Sequence, residues 1–318
     1  MRWWGETLDF EEGLATESLM ESSICGCTPK AGTYLGRMIL KLSCPDRPGL
    51  VATLANFISV SGGNILEMSQ FTDPIDEWFF IRIHIDVGDS DDKQRSMVNT
   101  FESLGRSINA SWEFRTPGEK TRTAILVTKA AHCLQDLLAR TYSGDLQLEV
   151  PIILGNRTDL EPIADRYGIP FRHIPVEKGN KEASFETYQE AIDDSGANLL
   201  ILARFMQILP PAFCETFRGR AINIHHSFLP AFIGANPYKQ AFQRGVKIIG
   251  ATAHYVTSDL DAGPIIDQEV ARVEHFHTPE DLVRLGRDCE CLALSRAVRY
   301  HSDDRVIIHG NKTIVFRD

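Results

Sequence analysis

The sequence predicts an α/β chain in two parts: a small βαββαβ sandwich, then an open, mostly parallel sheet with helices on both faces. Three observations carry that reading. Over residues 38–114 the apolar spacing alternates between the period of two that suits a strand and the threes and fours that suit a helix. Arg115-Thr116-Pro117-Gly118-Glu119-Lys120 is a polar, turn-rich break. Beyond it, compact apolar runs alternate with helical stretches, as in parallel strands joined by crossover helices. A chain of 318 residues is long enough for each part to bury its own core.

Residues 1–33 are acidic, lack an apolar signal core and are not arginine-rich, so a poorly ordered extension is expected there. Residues 38–43 read as a strand. Residues 48–61 place Leu50, Leu54, Phe57 and Ile58 at helical spacing, and Gly62-Gly63-Asn64 closes that helix. Residues 65–72 and 78–87 read as strands about an Asp73-Pro74 turn, residues 91–104 as a helix and residues 107–114 as a last strand. That order is ferredoxin-like, two helices layered on an antiparallel sheet, and is expected over residues 34–116. In the second part, expected over residues 121–318, strands fall at 123–127, 148–154, 171–175 and 198–203, with helices at 133–139 and 185–195. Ligands of such sheets sit beyond the carboxyl ends of the strands, so the chemistry is sought there.

Composition narrows the function. A net charge of -10 opposes non-specific binding to nucleic acid or an anionic membrane. No apolar run is long enough to span a bilayer. Seven cysteines at scattered spacings fit a reducing, cytoplasmic setting better than a disulfide scaffold. Cys25-x-Cys27 and Cys289-x-Cys291 lack the four-ligand knuckle pattern of structural zinc, and His275 and His277 lack an obvious third ligand, so no metal is expected.

The chemistry concentrates in Asn223-Ile224-His225-His226-Ser227-Phe228-Leu229-Pro230 and in Leu260-Asp261-Ala262-Gly263-Pro264-Ile265. On a strand, Asn223 and His225 share one face. An amide, an imidazole and a carboxylate suffice to attack an acyl carbon: the amide donates to the oxyanion, the imidazole moves protons, and the carboxylate orients or activates the nucleophile. Read singly, each of these residues is equally well a satisfied polar group at a strand end or turn.

Together the two strings resemble the active-site signature of folate-dependent formyltransferases, over residues 121–318. The resemblance makes Asn223, His225 and Asp261 the catalytic trio, with Asp261 helping to deprotonate a water. It makes Leu202-Ala203-Arg204-Phe205-Met206-Gln207-Ile208-Leu209 part of a folate pocket, with Leu202, Phe205, Met206, Leu209, Val256 and Gly263 about the pterin. His226, Thr252 and His254 are expected to orient the trio or hold the water. Cys44-Pro45-Asp46-Arg47-Pro48-Gly49-Leu50-Val51, followed by Gly62-Gly63-Asn64, resembles an ACT domain. Asp46, Gly49, Leu50 and Asn64 are then its effector-binding candidates, for glycine or methionine at a homo-oligomer interface.

The turn after the first strand of the second part, Thr128-Lys129-Ala130-Ala131-His132-Cys133-Leu134, holds no glycine to cradle a phosphate through its backbone. With the second histidine, His226, and the leading ACT-like module, the chain is closely similar to the formyltetrahydrofolate deformylase family. That resemblance implies water as acceptor, no cofactor, and formate released for purine and one-carbon metabolism. Two alternatives stay open: transfer to an unphosphorylated amine, and a catalytically silent folate or amino-acid sensor.

Overall fold

The computed structural model describes residues 36–177, 179–229 and 237–317. The expected extension, Cys25 and Cys27, and the Pro230-Ala231-Phe232-Ile233-Gly234-Ala235 end of the histidine motif lie outside the described residues. Residues 34–318 form one compact unit.

The first part is built from β1 (Arg37–Pro45), α1 (Leu50–Val60), β2 (Asn64–Asp73), β3 (Trp78–Asp86), α2 (Asp91–Ser107) and β4 (Ser111–Arg115). Its sheet has the order β2-β3-β1-β4 and is antiparallel throughout. Strand alternation turns Leu40, Leu42, Ile81, Ile83 and Ile85 into one core, covered by Leu54 and Ile58 of α1 and Met97 and Phe101 of α2. The other face presents Lys41 and Arg82, and Arg82 is buried against the second part, where its Nε donates to the Asp304 carbonyl at 3.1 Å.

The second part runs β5 (Thr121–Val127), α3 (His132–Ser143), β6 (Leu148–Gly155), α4 (Glu161–Arg166), β7 (Phe171–His173), α5 (Lys181–Ser195), β8 (Leu199–Ala203), α6 (Pro211–Thr216) and β9 (Ala221–His225). It continues with α7 (Pro237–Arg244), β10 (Ile248–Tyr255), β11 (Ile265–Arg272), α8 (Pro279–Ser302), β12 (Val306–His309) and β13 (Lys312–Val315). The sheet order is β11-β10-β9-β8-β5-β6-β7, parallel from β9 to β7 and antiparallel where β10 and β11 complete it. Alternate residues of β5 feed opposite cores: Ile125 and Val127 face α3 and α8, while Ala124 and Leu126 face α5 and α6. Among the described residues, no helix is long and apolar enough to cross a membrane.

Candidate active site

The carboxyl end of β9 brings the expected residues together. Antiparallel pairing sets Asn223 directly opposite His254 and His225 opposite Thr252. Asn223 Nδ2 lies 3.2 Å from His254 Nε2, and His254 Nδ1 lies 2.9 Å from the Tyr255 carbonyl. A carbonyl can only accept, so His254 carries its proton on Nδ1 and, when neutral, its Nε2 accepts from the amide. His254 thereby fixes which way the Asn223 amide faces and leaves its second N–H for a substrate oxygen.

Asp261 sits in the loop between β10 and β11 with φ 54°, a left-handed backbone that aspartate tolerates better than most residues. Its Oδ2 is 3.1 Å from His225 Nδ1, and the two side chains are 15% and 8% exposed. Burial by itself would raise the Asp261 pKa; the His225 hydrogen bond and the positive charge of a protonated His225 outweigh it and hold the carboxyl well below the usual carboxylate range. At 3.7 Å the His254 Nε2 to Asp261 Oδ1 approach is longer than a hydrogen bond, so His225 is the principal partner. His225 Nε2 is buried and makes no hydrogen bond among the described residues, and the ring lines the cavity. That nitrogen is the one free to exchange a proton with a reactant.

Of the expected supporting residues, Thr252 stands apart from the cavity. Thr252 is fully buried and does not line the cavity. Its hydroxyl donates to the Ser227 carbonyl at 2.9 Å and accepts from Leu229 N at 3.1 Å and Gln268 Nε2 at 3.0 Å, so it shapes the turn after the histidines rather than holding a water. His226 does line the cavity, its ring centroid 5.1 Å from that of His225. Burial first, then the Arg204 charge, push its pKa down to about 4, so it is neutral near pH 7.

The cavity is about 670 Å³, large enough for a small cofactor-sized ligand. Leu202, Phe205, Met206, Leu209 and Val256 line it, with Met206 the most exposed of them at 55%. Gly263 does not line it. A Cβ there would fall 1.8 Å from the Tyr255 carbonyl oxygen, so this glycine permits the Asp261 loop to close on β10.

Sequence reasoning missed a buried charged group in the same cavity. Glu290, in the middle of α8 and 1% exposed, accepts from His132 Nε2 at 2.7 Å and from the Tyr238 hydroxyl at 2.8 Å. Arg204 Nε approaches the same carboxylate at 3.3 Å. Burial opposes ionisation of Glu290, but the His132 hydrogen bond and the Arg204 charge keep its pKa below the ordinary value. The available signal was an acidic residue on the apolar face of a helix, beside Leu282, Gly286, Cys289, Ala293 and Ala297. His132, Cys133 and Glu290 are close enough to share a cation. The donor set fits one poorly: a neighbouring arginine already neutralises the carboxylate, and the Cys291 hydrogen bond and burial hold Cys133 as a thiol.

The effector candidates are not brought together within one chain. Gly49 caps α1 with φ 89°, beside exposed Asp46, while the Leu50 side chain is core. Asn64 pairs with Asp86, which pairs with Arg37 at the other end of β1. Roughly 25 Å of strand separates the two corners, so one ligand touches both only across two chains.

Comparison with known proteins agrees with this division. Residues 38–103 match the ACT domain family and residues 121–298 the formyl transferase family. A formyltetrahydrofolate deformylase of Corynebacterium sp. (strain P-1) is 44% identical over 281 residues, 88% of this chain and 98% of that protein. The crystal structure of a formyltetrahydrofolate deformylase from Burkholderia mallei superposes with a TM-score of 0.84 at 40% identity, covering 89% of this chain and all of that one. A glycinamide ribonucleotide transformylase from Symbiobacterium toebii matches with a TM-score of 0.60 at 30% identity, over 64% of this chain and 97% of its own.

Proposed function

The chain belongs to the formyltetrahydrofolate deformylase family, and from that premise we propose that it hydrolyses 10-formyltetrahydrofolate to formate and tetrahydrofolate through Asn223, His225 and Asp261. The observation that carries the assignment of residues is the hydrogen-bonded Asp261–His225 pair beside Asn223 in a cavity with an apolar wall.

The formyl carbon sits between Asn223 and His225, with the pterin against Leu202, Phe205, Leu209 and Val256. An Asp261 carboxylate with a strongly lowered pKa is a weak proton acceptor near neutrality. The water proton therefore goes to His225 Nε2, and Asp261 stabilises the resulting imidazolium through Nδ1. This replaces the expectation that Asp261 itself helps deprotonate the water. The Asn223 amide and the imidazolium then stabilise the tetrahedral oxyanion, a donor of this kind being worth about 3 kcal/mol. His225 returns its proton to N10 as the C–N10 bond breaks. Every step is carried by protein groups and water, so no cofactor is invoked.

The ACT domain supplies the regulatory part of the reading. A small amino acid, with glycine and methionine the first to try, binds at the Asp46–Gly49 turn in an oligomer. Self-association uses β2, an edge strand that exposes Leu66 and Phe71. The decisive experiment is incubation of the purified protein with 10-formyltetrahydrofolate and no amine. Equimolar formate and tetrahydrofolate are expected; turnover that waits for an amine would replace hydrolysis with transfer.

A further inference from the structure

The hydrolytic steps leave the Arg204 group without a role. Arg204 follows β8 with φ 61°, a left-handed backbone that a residue with a Cβ holds only where its surroundings impose it. Glu290 is a carboxylate buried in the middle of a helix, where an apolar side chain would pack with no desolvation cost. Two unfavourable choices thus meet in a single ion pair, clamped further by His132 and Tyr238.

The pair lines the same cavity as the trio, and His226 stands between them electrically, sensing Arg204 and Glu290 on one hand and His225 and Asp261 on the other. The rest of the lining divides by chemistry. Its apolar part suits a flat ring, which leaves the charged part for the second reactant. An amine outcompetes water for a formyl carbon only if the protein binds it, and a carboxylate is the natural group to do so. Glu290 is such a carboxylate: His132 and Tyr238 hydrogen-bond it, and the Arg204 guanidinium stands beside it as an ion pair at 3.3 Å, with no hydrogen bond from its Nε among the described residues. The fixed cation of Arg204 also repels an ammonium.

We propose that the Arg204–Glu290 pair determines the acceptor: it blocks the part of the cavity where an amine would bind and leaves water as the only nucleophile. The proposal rests on the hydrolase reading. Formyl transfer to an amine needs no further reactant, because the new C–N bond replaces the C–N10 bond and one amine proton passes to N10.

Glycinamide serves as the probe amine, with the full chain and 10-formyltetrahydrofolate, and formate and N-formylglycinamide are measured together by mass spectrometry. Wild type gives formate alone. Arg204→Gly suits the left-handed backbone, removes the cation and opens the side of the Glu290 carboxylate that Arg204 covers, so the ratio of N-formylglycinamide to formate rises by about tenfold or more over wild type. Adding Glu290→Gln to that variant abolishes the gain, which a mere increase in space would not explain. Should Arg204→Gly fail to fold, Arg204→Asn, whose side chain also tolerates this backbone, reads the same ratio. Folded variants that yield only formate, or a wild type that formylates glycinamide, overturn the proposal. A wild type that releases no formate without an amine instead overturns the hydrolase reading, so the two failures are distinct.

Discussion

At the level of single residues, the site is a set of protonation states fixed by hydrogen bonds. Asp261 is ionised, His254 is held with its proton on Nδ1, and His226 is neutral. Asp261→Asn keeps the shape but cannot stabilise an imidazolium. We expect turnover to fall by at least about a hundredfold, since the equivalent change in a Ser-His-Asp triad costs about ten-thousandfold, while folate binding persists. A variant with near-normal turnover would remove Asp261 from the mechanism. The same states set the pH dependence of stability. His226 and His301 both have folded pKa values pushed from 6.5 down to about 4, by burial first and then by nearby cations. Between those values the unfolded chain binds more protons than the fold, so stability must fall as pH is lowered from 6.5 towards 4. Asp261 has the opposite chemistry and the same direction at lower pH: its contribution is intact above about pH 4 and is lost as the pH falls further. Thermal melts in a pH series check this, and a melting temperature flat from pH 6.5 to pH 5 would contradict the buried, neutral histidines.

At the level of elements, the position of Asp261 depends on how the β10–β11 loop returns to the sheet. Tyr255 N donates to the Pro264 carbonyl at 2.9 Å, and Gly263 packs its Cα against the Tyr255 carbonyl. Gly263→Ala must push this loop outward and carry Asp261 with it. An ångström-scale shift of a reacting group costs about a hundredfold, so turnover should drop by that order. The overpacking itself should cost about 1–3 kcal/mol in denaturant unfolding. Normal activity in Gly263→Ala would mean the loop is not the positioning device. Elements of this kind were partly legible in the sequence. The strands at β5, β6 and β8 and the βαββαβ order were readable because apolar period and turn residues agree locally. Asn223 and His225 were legible as strand neighbours, and the glycine-free turn after β5 from composition alone. The antiparallel return of β10 and β11 was not, because Thr252, His254 and Val256 entered only as single site residues, and pairing is a long-range property. Nor was the Arg204–Glu290 pair, whose members are 86 residues apart on β8's end and α8 and meet only when α8 packs across the sheet. Gly263 was misplaced for a related reason: a glycine beside a ligand and a glycine beside backbone look alike in one dimension.

At the level of the whole molecule, the two parts are joined by a structural path that no single motif announces. The ACT sheet packs its charged face on the second part, with Lys41 Nζ 3.0 Å from Asp304 Oδ1 and Arg82 on the carbonyls of Asp303 and Asp304. The β12–β13 hairpin lies between the β1–α1 turn and the loop that carries Asp261. On one side, Asp46 N donates to the Glu77 carbonyl at 2.8 Å, and the adjoining Asp76 holds Lys312 Nζ at 3.1 Å. Trp78 and Phe80 meanwhile flank His309, each with ring centroids 5.2 Å away. On the other side, Asn311 Nδ2 donates to the carbonyl of Ala262 at 3.0 Å, next to Asp261, and Thr313 Oγ1 to that of Ile265 at 2.6 Å. A ligand at the β1–α1 turn that moved this hairpin would reach the Asp261 loop, and it would change turnover only by binding the two arrangements with unequal affinity. Typical couplings of this kind are about 1–3 kcal/mol, or roughly 5- to 150-fold in affinity. Asn311 and Lys312 are exposed and carry no core packing, so Asn311→Ala and Lys312→Ala should fold normally. We expect both to retain hydrolysis and to lose most of any change in turnover that glycine or methionine produces in the wild type. Binding of the amino acid, followed by calorimetry, should persist in both variants, because the β1–α1 turn proposed to hold it is untouched. A response that survives intact in both would place the coupling elsewhere in the interface, and a wild type indifferent to every amino acid tried would leave the ACT domain with assembly alone.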